Sequence, residues 1–135
     1  MNAASVTVLP RRTPPSILVV ENDVRIRCLV SDELRASDFK VLEASHAEDA
    51  LTVLDAVRID LLFIALDPSG EQSGLEVARL VRMRRMPTRV ILAIGDGMLA
   101  KAAAEDFGLI LSKPYQTSDI VELVIRTLNW PEAPA

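Results

Sequence analysis

Three stretches of the chain are apolar at almost every position: Ser16 to Val20 (SILVV), Asp60 to Leu66 (DLLFIAL) and Arg89 to Ile94 (RVILAI). A strand with one wet face alternates apolar and polar residues. Runs without alternation suit strands buried on both faces, as in a parallel sheet covered by helices. Phe39 to Glu43 and Leu109 to Leu111 are shorter candidates of the same kind. Between these runs the period changes. Ile26, Val30 and Leu34, four apart, predict a helix over Val24 to Ala36 with those three on its buried face. Ser45 and Glu48 stand three apart before Ala50, Leu51 and Leu54, the spacing of a capping box, and Ser73 and Glu76 repeat it before Val77, Leu80 and Val81. Asp96 is placed to cap an alanine-rich helix running to Asp106, and Thr117 or Ser118 to open a last helix through Leu128.

Five strands alternating with five helices predict an α/β fold, a doubly wound (βα)5 flavodoxin-like parallel sheet of five strands. Right-handed crossovers and the order 2-1-3-4-5 are its economical topology. The expected organisation is a proline-bearing N-terminal tail over 1–15, one domain over 16–129 and a short tail over 130–135, with no output domain. In such a sheet functional groups gather at the carboxyl ends of the strands. Those ends are Glu21-Asn22-Asp23, Ala65 to Asp67, Ala93 to Gly95 and Ser112-Lys113-Pro114.

Composition narrows the classes further. The chain has 135 residues, 15 Lys plus Arg against 19 Asp plus Glu, and a formal net charge of -4. It is 50% hydrophobic with 4% aromatics, an aliphatic core-forming composition that excludes wholesale disorder. The single cysteine, Cys28, cannot form an internal disulfide, so a cytoplasmic location is expected. No apolar run approaches the roughly 20 residues of a membrane helix, and no membrane association is expected. The arginines at 79, 82, 84, 85 and 89 form the densest basic stretch. The acidic balance and scarcity of aromatics speak against nucleic acid, so these are read as the solvated end of a helix. His46 has no neighbours at metal-ligand spacing and is expected to be exposed. Gly95-Asp96-Gly97 lacks the spacing of a phosphate-binding loop and is read as a turn and cap.

ILVVEND followed by Arg27, the stretch DLLFIALDPSGEQSGLEVARLVR, and SKPY together resemble the receiver domain of two-component response regulators, over Ser16 to Leu128. The resemblance implies a pocket in which an aspartate ending the third strand takes a phosphoryl group from a histidine kinase. Two acids after the first strand hold magnesium there, a hydroxyl ends the fourth strand, and a lysine follows the fifth. Carried over, the acceptor position is Ala65, which has no nucleophile. The acidic pair becomes Glu21 and Asn22, and a neutral amide is a weaker ligand for a hard cation. The hydroxyl position is Ala93, and the aromatic three before the lysine is Ile110. Lys113 alone keeps its identity, and Glu21 is its expected ion-pair partner. Asp67, two residues past the acceptor position, is expected to point to the pocket mouth or solvent.

These substitutions imply a degenerate, phosphorylation-independent pseudo-receiver that acts by binding another protein and is not an enzyme. Magnesium binding is expected to be weak or absent, with Glu21 and Asp67 as weak candidates, and no other cofactor is expected. The expected partner is a sensor kinase, another regulator or a second copy of the chain. The expected surface comprises Met98 and Leu99 in the helix before the fifth strand, Ile110 in that strand, and Val121, Leu123 and Ile125 in the last helix. Two rival readings are a phosphotransfer receiver using Asp67 or Glu21, and a small-ligand binder using the emptied pocket.

Overall fold

The computed structural model describes residues 13–67, 71–95 and 106–131, and only the backbone of Glu71 and Gln72. Strands β1 (Ser16–Val20), β2 (Lys40–Ala44), β3 (Leu61–Ala65), β4 (Arg89–Ile94) and β5 (Leu109–Ser112) make one parallel sheet in the order β2-β1-β3-β4-β5. Helices α1 (Val24–Ala36), α2 (Ala47–Ala56), α3 (Glu71–Met83) and α4 (Thr117–Leu128) alternate with them. The helix expected after Asp96 lies outside the described residues, as do most of the two tails.

Side-chain alternation divides the interior into two cores. Leu18, Val20, Leu62, Ile64 and Leu92 face Ala50 and Leu54 of α2 and Val77 and Val81 of α3. Ile17, Val19, Leu61, Phe63 and Ile91 face Val30 and Leu34 of α1 and Ile120 and Val124 of α4. The three central strands are therefore covered on both sides, which is why their sequences show no alternation. The edge strands β2 and β5 are only partly buried, and their sequence signals are weaker. Asp60, just before β3, is committed to the fold: its carboxylate accepts from the backbone N–H of Ser16 at 2.8 Å and from Ser16 Oγ at 3.2 Å.

Helix starts differ from the sequence expectation. α2 begins at Ala47, with His46 at the N-cap and no side-chain cap bond, so Ser45 does not cap it. Glu48 and Asp49 in its first turn complement the helix dipole instead. Ser73 and Glu76 lie inside α3, which starts at Glu71. The last helix does open at Thr117 and run to Leu128 as expected, with Gln116 at its N-cap, whose backbone N–H donates to the Asp119 carboxylate at 2.9 Å. Asp23 caps α1 by accepting from the backbone N–H groups of Arg25 and Ile26 at 2.9 and 3.2 Å. Ile26 itself is 39% exposed, against the expectation that it joins the core. The first turn of α1 stands at the rim where β1 has already ended, so only Val30, Ser31 and Leu34 reach over the sheet.

Candidate functional site

Parallel register brings the strand ends to one rim of the sheet. Ala65 lies opposite Ala93, and Ile94 opposite Ser112. A cavity of about 430 Å³ opens there, with Val20, Ile64 and Ala65 as its apolar floor. Asn22, His46, Glu48, Asp49, Asp67 and Ser73 stand around it. Asn22, Ala65 and Asp67 thus line the same cavity. His46 is exposed, as expected. Gly74 lets α3 approach this rim, because a Cβ there would collide with a δ-carbon of Leu66.

Glu21 is 7% exposed and faces a different set of partners. Its carboxylate accepts from the Asp23 N–H at 2.9 Å, and its carbonyl accepts from the Arg27 guanidinium at 2.9 Å. Arg27 also meets Glu43 at 3.4 Å, and Arg35 meets the same carboxylate at 3.1 Å, so α1 is stitched to β2. The expected ion pair of Lys113 with Glu21 is not among the ion pairs of the described residues. Lys113 Nζ donates instead to the Leu66 carbonyl at 2.8 Å, next to Ala65. Without a carboxylate at position 65, the ammonium rests on this backbone oxygen.

Tyr115, two residues past Lys113, was not singled out in the sequence, although SKPY carries it in plain view. Its ring meets Phe63 edge-on at a centroid distance of 6.0 Å. Burial, and then the negative charge of Glu21, push its hydroxyl up from 10.0 to about 12. The sequence expected Lys113 beside Glu21; the structure sets a neutral phenol within its electrostatic reach.

The chemistry open to this rim is limited. Ala93 is fully buried, and neither it nor its neighbours Leu92 and Ile94 carries a hydroxyl. Ala65 likewise has only Ile64 and Leu66 beside it in the chain. Of the residues that would hold the magnesium the family uses, Glu21 accepts from a backbone amide through one carboxylate oxygen and Asn22 offers a neutral oxygen, a weaker donor set for a hard cation than two carboxylates. Among the described residues no group of three or more His, Cys, Asp or Glu side chains is arranged to hold a metal ion.

The expected interaction surface is only partly exposed. Val121 and Leu123 are half-buried and pack on the core between the sheet, α1 and α4. Ile110 is half-buried against the opposite core. The α4 stripe is wider than a spacing of four suggests, because the helix packs on both the sheet and α1. Ile125, at 36% exposure, remains outside, while Met98 and Leu99 lie outside the described residues. Leu109 on β5 (46%) and Val24 and Leu29 on α1 (57% and 62%) are exposed apolar residues that the expected surface omitted. No described helix is long and apolar enough to cross a membrane.

Known proteins of this architecture share its outline. The signal receiver domain of a putative Luxo repressor protein from Vibrio parahaemolyticus superposes with a TM-score of 0.76 at 21% identity, covering 87% of this chain and 92% of that one. A CheY-like response regulator receiver domain protein from Methanospirillum hungatei gives a TM-score of 0.77 at 21% identity, covering 87% and 95%. Protein PetR of Rhodobacter capsulatus is 28% identical over 130 residues, which are 90% of this chain and 52% of PetR, so the chain spans about half of that relative's length. The sequence itself matches the response regulator receiver domain family over residues 17–125, and with the parallel sheet in its 2-1-3-4-5 order this establishes that the chain belongs to that family.

Proposed function

We propose that this receiver domain signals by binding a protein partner without being phosphorylated. One observation carries the reading. At the rim where a transferred phosphoryl group would sit, Ala65 and Ala93 face each other in register, with neither a nucleophile nor a hydroxyl between them. Phosphotransfer to a carboxylate needs that nucleophile together with a cation to neutralise the phosphoryl oxygens, and Asn22 weakens the cation site as well. Lys113 resting on the Leu66 carbonyl and Ile110 in place of an aromatic support a surface with a single arrangement, since nothing is left to bias a second one. The partner is a sensor kinase, another regulator or a second copy. Ile125 and Leu109, exposed on α4 and β5, supply the apolar contact, and Glu122 and Arg126 orient it.

Incubation with acetyl phosphate and magnesium, followed by intact mass and peptide mapping, tests the chemical half of this proposal. The expected outcome is no added phosphoryl group. Stoichiometric labelling of Asp67, which lines the cavity beside Asn22, would overturn it in favour of a receiver with a displaced acceptor.

A further inference from the structure

The opposite end of the sheet carries a second cavity, of about 460 Å³, bordered by the end of α3, the entries to β4 and β5 and the last turn of α4. That volume is within the range of small-molecule sites. Val81, Val90 and Phe107 give it an apolar wall, and Arg82 and Arg89 stand on its border. Arg79 and Arg84, on the same basic stretch, are paired with Glu76 at 3.8 Å and Asp55 at 2.8 Å. Arg82 and Arg89 have no ion pair among the described residues. Asp106 also borders the cavity and offsets one of the two positive charges, which leaves a cationic excess. Thr127, in the last turn of α4, completes the wall. Gly108 fixes the shape: a Cβ there would lie 2.6 Å from the Val90 carbonyl oxygen, so β5 enters tight against β4.

From this combination we infer that the cavity binds a small organic anion, a carboxylate or phosphate head on a short apolar body. The two guanidinium groups take the head, and Val81, Val90 and Phe107 take the body. An alkylammonium would meet two like charges, and an uncharged alkane would leave both guanidinium groups unanswered. The inference is independent of whether the opposite rim is phosphorylated.

Nitrogen-15 NMR titrations with hexanoate and with hexyl phosphate, set against inorganic phosphate and hexylamine, test it. Both amphiphilic anions are expected to shift the amide signals of Val90, Gly108 and Thr127 saturably. Inorganic phosphate should bind more weakly and hexylamine not at all. Arg82→Gln combined with Arg89→Gln alters two exposed side chains, and is expected to weaken hexyl phosphate about tenfold or more while the remaining spectrum is kept. The site assignment is overturned if neither anion gives saturable shifts, if hexylamine or inorganic phosphate binds as well as hexyl phosphate, or if the double variant binds unchanged.

Discussion

Tyr115 and Ser31 show how single groups in this domain depart from their ordinary behaviour. Tyr115 is the one tyrosine of the chain, so absorbance of the phenolate reads its titration directly. Its midpoint is expected near pH 12 in the folded protein against 10.0 when unfolded. Because the folded pKa is the higher one, the unfolded chain releases this proton first. The contribution of Tyr115 is therefore fully present below pH 10 and is lost as pH rises towards 12. Tyr115→Phe should remove that portion of the alkaline destabilisation, as measured by urea melts across the interval. Ser31 is fully buried in α1, and its hydroxyl has no hydrogen-bond partner. Ser31→Ala removes a desolvated polar group and improves helix propensity, so a gain of about 1 kcal/mol is expected in urea unfolding.

At the scale of elements, α1 is held by its start and by its outer edge. Asp23 caps it, while Arg27 reaches both the Glu21 carbonyl and Glu43. Asp23→Ala is expected to cost about 1 kcal/mol in the same assay, the usual loss for an N-cap. Glu43→Gln should cost well under that, since its ion pairs lie at a partly solvated edge. The strands β1, β3 and β4 were legible in the sequence because burial on both faces leaves their runs apolar after the first residue of β1 and β4. The helix starts were less legible. A Ser-x-x-Glu spacing records only that a box is possible, and α2 and α3 begin elsewhere because the loops that lead into them set where the chain turns.

For the whole molecule, the proposed loss of phosphoryl chemistry has a consequence for metal binding. Millimolar magnesium is expected to leave the thermal midpoint of this protein unchanged. Restoring carboxylates with Ala65→Asp and Asn22→Asp together should make the midpoint rise with magnesium, because a cation that binds only the folded state stabilises it by mass action. Scanning fluorimetry with and without the metal checks both. A clear rise in the unaltered protein would show that Glu21, Asn22 and Asp67 suffice as ligands.

By itself the sequence determined the fold class, the strand order and the residues standing at the strand ends. Continuous apolar runs, helical periods and short connections leave few ways to build a covered parallel sheet. It also determined that position 65 carries no nucleophile, since that is a matter of residue identity. Where each side chain finds its partner was decided only by tertiary structure. Lys113 rests on a carbonyl 47 residues away in sequence and not on Glu21. Tyr115 comes under the charge of Glu21 because β1 and the loop after β5 end at the same rim. Val121 and Leu123 are partly buried because α4 packs on two neighbours at once. Arg82, Arg89 and Thr127, from three separate elements, surround one cavity. Such pairings depend on distances between strands and helices remote in sequence, and a local pattern of polar and apolar residues does not encode those distances.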